Sequence, residues 1–506
     1  MNLRTIIIMT AILLAAVPTV AQKKNDAALV KKVAAFDAYI QKTQRDWGIP
    51  GLSVAVVKDG NVVLAKGYGV RTLGSPEPVD AQTLFACAST TKAMTAALMA
   101  MLVDEGKLNW NDPVEKHLPE FKLYDPYMTR EITLRDLLVH DTGVGNADFL
   151  WGIMDINSNE VLKKMRDVKP SYSMRSSFIY QNIFYLAAGK VIEKTTGQTW
   201  DQVITERIFK PLGMTRTVPL SKLATDKNKT AAHWSINGEV TLIDHSDADQ
   251  IAPAGAVWSC ASDMAKWMQV MLDSSKYNGG RLLSPQSWTE MFKPQVIVPE
   301  GEFYPSQQLT KPHWTTYGLG WFQQDYKGRK MNFHTGSLDG ATALAAQLPD
   351  ENLGIYIFGN LDHAEARHAL VYKAFDHFAL GGTRDWSAEF TTLYAPLREE
   401  QDKATRDFES KRVANTHPSQ DLDAFAGKYT DPLYGECEVT RQGNTLVVDV
   451  NHSLKVTAEH WHYDTFRGLY NRHWYGNAVI VFSTDATGTI SNVNFDGFEF
   501  SRPAKP

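Results

Sequence analysis

Three cysteines among 506 residues, Cys87, Cys260 and Cys437, allow at most one internal disulfide and leave a thiol over, so disulfides are not the main staple of this chain. Whether Cys87 pairs with Cys260 stays open at this level. Positive charge is not in excess either. A formal net charge of −5 lacks the basic footprint of a nucleic-acid binder, and no nucleic-acid partner is expected. Neither a Gly-rich phosphate loop nor a dinucleotide fingerprint occurs, and no cofactor or metal is expected. Beyond the first residues, no apolar run approaches the length of a membrane span.

What is present begins with a leader. Met1 to Arg4, the apolar run Ile6 to Val17 and the small residues Thr19-Val20-Ala21 are the three regions of a secretory signal, with cleavage expected after Ala21. Loss of Arg4 with the leader takes the net charge from −5 to −6. No cysteine near the cleavage point is available to take a lipid, so the mature chain is expected to be periplasmic or secreted, with no membrane anchor.

Two β-branched runs around Asp59-Gly60, within Gly51 to Gly69, read as a β-hairpin. From about Asp112 to Ser274 the helical period dominates, in Ile132–Leu138, Ile183–Thr195, Asp201–Phe209 and Ala261–Leu272. Strand signals return in Tyr317–Phe322, Ala341–Leu348 and Leu353–Phe358. Early and late strands around a helical block predict one antiparallel sheet built from both ends, an α+β arrangement with a helical subdomain. A charged stretch follows and reads as a solvated helical linker; after it, short alternating runs with regular turns predict a small all-β barrel or sandwich. The expected divisions are a leader (1–21), a catalytic domain (25–385), a linker (386–420) and a C-terminal barrel (421–506).

Ser89-Thr90-Thr91-Lys92 opens an apolar helical pattern, and three residues of separation puts the serine and the amine on one helical face. A base beside a serine hydroxyl is the minimum apparatus for a nucleophile that forms an acyl-enzyme. Cys87 lacks a lysine at that spacing and reads as a buried packing thiol. His140-Asp141 is expected to be structural. His460, His462, Asp464 and His473 read as sheet-surface packing rather than metal ligands.

Tyr180-Gln181-Asn182 and His334-Thr335-Gly336-Ser337 follow at wide separations. In this order the three elements resemble the serine β-lactamase and penicillin-binding-protein superfamily, in the branch of class C β-lactamases, D,D-carboxypeptidases, D-aminopeptidases and related esterases. The segments Ile132–Gly143, Ile208–Met214 and Pro253–Ser259 look similar as well, so the resemblance spans roughly Phe36 to Leu380. It implies a β-lactamase/transpeptidase-like fold with a lipocalin-like appendage. It further implies Ser89 as nucleophile, Lys92 as proton acceptor or relay, and Tyr180 as partner base and then acid. Asn182 would hold Lys92 and a substrate amide; the Ser89 and Ser337 amides would form the oxyanion hole, the second on an edge strand after Gly336. A glycine at 336 fits a strand passing close to substrate. A tyrosine titrates near 10, so it works as a base only beside a cation such as Lys92.

His334 departs from the lysine that β-lactamases of this superfamily carry. Histidine near pH 7 offers a hydrogen bond and a fraction of a charge. The expected activity is therefore an exported serine hydrolase of an ester, amide or D-amino acid peptide, its partners small molecules or peptides including cell-wall fragments. The alternatives are a non-catalytic penicillin-binding-type receptor or cell-wall binding protein, and a class C-type β-lactamase.

Overall fold

The computed structural model describes residues 18–503, so residues 1–17 of the expected leader lie outside it. Strands β1 (Gly51–Lys58) and β2 (Asn61–Gly69) form the expected hairpin. Asp59 and Gly60 both have positive φ, 50° and 76°, the turn geometry that matches strand twist. Six later strands complete an antiparallel sheet: β3 (Val296–Ile297), β4 (Thr315–Tyr317), β5 (Phe322–Tyr326), β6 (Arg329–Leu338), β7 (Ala341–Leu348) and β8 (Leu353–Gly359). Their order is β2-β1-β8-β7-β6-β5-β4-β3, so the early hairpin docks on the last strand, Leu52 opposite Gly359.

Both faces of this sheet are covered, which is why its central strands read as unbroken apolar runs. Ala55, Val57, Tyr356 and Phe358 point into a core shared with helices α2 (Thr91–Asp104), α3 (Ile183–Thr196) and α4 (Ala261–Leu272). Leu52, Val54, Val56, Ile355 and Ile357 point the other way, toward α1 (Pro18–Asp46), α5 (Ala366–Phe375) and the start of α6 (Trp386–Ser410). Each fully buried valine, leucine or isoleucine is worth about 1.5–3 kcal/mol of transfer energy, so the two-faced core dominates the stability of this domain. The expected linker therefore starts as core: Trp386 and Phe390 are buried against α5, and from Ala395 onward α6 is exposed.

Two expected elements differ locally. The run Tyr317–Phe322 is a corner between β4 and β5, turned at Gly320 with φ 79°; a Cβ there would lie 2.9 Å from Ala93 Cα. In the run Ile132–Leu138 helix begins only at Asp136, in the short turn Asp136–Val139, because the Asp136 carboxylate holds the Thr133 amide and hydroxyl outside the turn.

Strands β9 (Gly427–Asp431), β10 (Gly435–Gln442), β11 (Thr445–Val450), β12 (Leu454–His462), β13 (Thr465–Leu469), β14 (Asn477–Thr484), β15 (Ile490–Phe495) and β16 (Phe498–Ser501) close into a barrel. Alternate residues such as Leu446, Val448 and Val450 fill its interior with Phe425, Phe466 and Phe482. The barrel contacts the rest of the chain at several places, among them Lys164, whose Nζ donates to the Pro432 carbonyl (2.8 Å). Phe149 packs edge-on against Tyr434 and tilted against Phe498, which also touch each other, and Arg472 donates to the Gly152 carbonyl (3.0 Å). Trp474 and Tyr475 donate to Asp339, in the β6–β7 turn, at 3.2 and 2.6 Å.

Candidate active site

Ser89 sits on a single 3-10 turn, Ala88–Thr90, that leads into α2. Three contacts aim that turn. Phe85-Ala86 pair with Trp258-Ser259, the Cys87 amide donates to the Val257 carbonyl (2.8 Å), and Ala88 takes a left-handed φ of 47°. A positive φ at a non-glycine residue costs of order 1–3 kcal/mol and persists only where the surroundings over-determine it. Ser89 itself is half-buried and faces a cleft of about 510 Å³.

Helix α2 is buried on every side from Thr91 to Leu102, as expected for a helix apolar all round, and Lys92 has no exposed surface. Its Nζ reaches three groups: Ser89 Oγ (3.0 Å), Asn182 Oδ1 (2.7 Å) and the Ala254 carbonyl (3.0 Å). Burial pushes the amine down to about 7, against a smaller upward pull from the Asp148 carboxylate. A neutral amine has two N–H bonds and one lone pair. Because two of its neighbours are carbonyl oxygens that only accept, the lone pair is left for Ser89. In the protonated form all three N–H bonds are satisfied, so what disfavours the charge is desolvation and not a missing partner.

Tyr180 lies 4.9 Å from Lys92 Nζ at its ring centroid and stacks on His140 at 4.3 Å. The Tyr180 hydroxyl is buried, with no hydrogen-bond partner among the described residues. Burial drives it well above its ordinary value, tempered only partly by Ser89. Burial thus favours the protonated Tyr180 hydroxyl in the free protein, while it pushes the neighbouring Lys92 amine toward its neutral form. His140 packs behind the site as expected, its Nδ1 accepting from the Gln181 amide (3.1 Å).

Asn182 holds Lys92, but its NH2 is not free for a substrate. Nδ2 donates to both oxygens of Asp148, at 3.0 and 2.9 Å. Nothing in the sequence marks Asp148, which lies in a loop after Gly143-Val144-Gly145-Asn146; nor does a motif mark the Ala254 carbonyl.

The expectation for His334 is corrected. Side chains alternate along a strand, and in β6 it is Thr335 and Ser337 that line the cleft. His334, 1% exposed, is turned onto Tyr317. Its Nδ1–H donates to the Thr335 carbonyl (2.6 Å), which leaves Nε2 to accept from the Tyr317 hydroxyl (2.8 Å). Burial, with Lys92 nearby, pushes it down to about 3, so it carries no charge.

Gly336 is required for a different reason from the one expected. A Cβ there would lie 2.4 Å from the Cys87 carbonyl and 3.2 Å from the Ser89 amide, so the residue accommodates the nucleophile turn rather than a substrate. Strand β6 is internal to the sheet rather than an edge. Its pairing with β5 stops at Phe333, however, and Thr335–Leu338 pair with β7 alone, leaving one backbone edge open. Ser337 is exposed there. Cys87, Cys260 and Cys437 are all buried free thiols.

The β-lactamase family model matches residues 36–377, and a domain of unknown function (DUF3471) matches residues 411–505. The chain belongs to the beta-lactamase family. An unguisins hydrolase of Aspergillus violaceofuscus is 28% identical over 444 residues, 80% of this chain and 76% of that protein. Protein flp of Staphylococcus aureus is 26% identical over 65% of this chain and 63% of its own length. Among solved structures, a D-stereospecific amidohydrolase from Streptomyces sp. superposes with a TM-score of 0.56 at 25% identity, covering 68% of this chain and 98% of that one. The octameric penicillin-binding protein homologue from Pyrococcus abyssi shares the fold along 93% of this chain and 100% of its own, with a TM-score of 0.62 and 21% identity. As a beta-lactamase family member with hydrolases among its relatives, the chain is of the serine hydrolase type.

Proposed function

We propose that this family member hydrolyses an amide, ester or peptide bond through an acyl-enzyme on Ser89. The observation that carries this is the Lys92 cage, two carbonyl acceptors and one serine hydroxyl around an amine held near pH 7. Lys92 accepts the proton as Ser89 Oγ bonds to the substrate carbonyl carbon. The oxyanion is taken by the Ser89 and Ser337 amides, which β6 brings together by pressing on the nucleophile turn. The Tyr180 O–H gives its proton to the leaving nitrogen or oxygen and recovers one from Lys92. Water then cleaves the ester, releasing the acid and restoring Ser89.

Substrate charge follows from the cleft lining. Asp148 and Glu302 line it, no lysine, arginine or histidine among the described residues does, and the aromatic wall is Phe178, Phe303, Tyr304 and Phe322. That composition supports a neutral or amino-bearing peptide-like substrate, D-amino acid peptides included, and weighs against an obligatory anion such as a β-lactam carboxylate. The intact proton-transfer set weighs against a purely binding role. Export is proposed from the leader and is read by N-terminal sequencing of the mature chain, which should start at Gln22.

The test is a fluorophosphonate probe with peptide mapping of the adduct, followed by a panel of short-chain esters, D- and L-amino acid amides and a chromogenic cephalosporin. Labelling at Ser89, loss of turnover by about 10³-fold or more in Ser89→Ala, and amide or ester turnover above cephalosporin turnover are the expected results. An adduct elsewhere would sink the assignment.

A further inference from the structure

An ionised carboxylate only accepts hydrogen bonds, so Asp148 decides which way the Asn182 amide points. With Nδ2 committed to Asp148, Oδ1 must face Lys92. Reversed, the amide would present N–H bonds to the amine, and the Lys92 lone pair would turn from Ser89 to meet them. The direction of the base is therefore set one residue back from it.

Asp148 is in turn held by the segment it belongs to. Its amide donates to Asn146 Oδ1 (2.8 Å), and its carboxylate accepts from Asn146 Nδ2 (3.1 Å) and Trp151 Nε1 (2.8 Å). The next residue, Phe149, is the one clustered with barrel residues Tyr434 and Phe498, at 4.8 and 5.7 Å. Three residues further, the Gly152 carbonyl accepts from barrel residue Arg472. On the opposite wall, Asp339 receives Trp474 and Tyr475 two residues beyond Ser337.

We propose that Asp148 is a positioning residue for the Lys92 base, and that the C-terminal barrel holds it in place by clamping residues 149–152. The inference rests on the acyl-enzyme reading above. It makes the barrel a working part of the site rather than an appendage. Besides Asp148, the groups facing Lys92 are the Tyr180 and Tyr185 rings, at 4.9 and 5.3 Å, and the buried imidazoles of His140 and His334. Both imidazoles are neutral over the working range, so Asp148 is the charge whose removal the lysine would register.

The experiment measures the rate of fluorophosphonate labelling at Ser89 against pH in the full-length protein, which needs no knowledge of the natural substrate. In Asp148→Asn the acid-side midpoint should move to lower pH, since a carboxylate that favours the ammonium is gone. In Asp148→Ala the same shift should come with a plateau at least tenfold lower, because the amide is no longer oriented. Arg472→Ala and Tyr434→Ala should lower the plateau several-fold while their unfolding transitions remain cooperative. An unmoved midpoint in both Asp148 variants would overturn the positioning role. Wild-type plateaus in both barrel variants would overturn the clamp. Absence of any Ser89 adduct in the wild type would instead defeat the underlying acyl-enzyme reading, so the failures are told apart. Should a barrel variant unfold, Tyr434→Phe, which keeps the ring contact, should label at the wild-type rate; a loss there equal to that of Tyr434→Ala would count against the clamp.

Discussion

The Arg367 guanidinium, buried near the head of α5, donates through Nη1 to both the Gly336 carbonyl (2.5 Å) and the Ser337 hydroxyl (3.0 Å). Because Ser337 Oγ accepts from Arg367, its own proton is free to point into the cleft. The open end of β6 is thus braced from behind by a fixed cation, with Glu365 as its counter-charge (3.3 Å).

Replacing Arg367 by alanine leaves the buried Glu365 carboxylate without its fixed cation and with only the His368 imidazole (2.8 Å) beside it, a change of the kind that costs about 3–5 kcal/mol. Urea unfolding should show that loss, with a labelling rate at Ser89 reduced tenfold or more. Arg367→Lys should recover little, since one ammonium cannot reproduce the fork. Unchanged labelling in a folded Arg367→Ala would remove Arg367 from the account of β6.

With Lys92 pushed down to about 7, kcat/KM should fall about tenfold per pH unit below that value and level off above it. The same depression sets a sign for stability. Between about pH 7 and the ordinary lysine value near 10.4 the folded chain binds fewer protons than the unfolded one, so this group's contribution rises with pH across that window and is lost as pH falls through about 7. His334→Gln should leave the kinetic midpoint where it is, because His334 is already neutral there. Disappearance of the limb in that variant would assign it to the histidine instead.

Gly336→Ala forces a methyl to within 2.4 Å of the Cys87 carbonyl, a backbone atom that cannot swing aside. Overpacking of this kind costs about 1–3 kcal/mol, and here the displacement falls on the Ser89 turn. Labelling should drop more steeply than stability does. Equal labelling rates for variant and wild type would show that the turn can yield.

The Cys87, Cys260 and Cys437 thiols are buried, and burial pushes each up to about 12. None should react with an aromatic disulfide reagent in the native protein, and three should titrate once it is denatured. Reductant should not shift the Tm. A count below three after denaturation without reductant would reveal a disulfide.

What could be read from the sequence was what depends on neighbours along the chain. The hairpin at Asp59-Gly60 and the Ser89–Lys92 face follow from local geometry, and Asn182 beside Lys92 follows from the family spacing. Asp148, Ala254 and Arg367 did not announce themselves, because each acts through a tertiary contact made by a residue type common in loops and helices. His334 was placed in the right strand but on the wrong side of it. Chain alternation decides that, and the parity is visible only once Thr335 and Ser337 are seen in the cleft. The burial that holds the Tyr180 hydroxyl above its ordinary range is a property of the packed core, which no local sequence pattern shows.

The pairing of β1 with β8 bears on how the chain is made. Leu52 waits for Gly359, so the hairpin that leaves the ribosome early has no sheet to join until nearly the whole catalytic domain has emerged. Contacts this distant in sequence make for slow closure, and the apolar face of the hairpin stays uncovered meanwhile. The domain therefore cannot lock before its last strand is synthesised, and its two halves stay apart for most of the time the chain takes to be made.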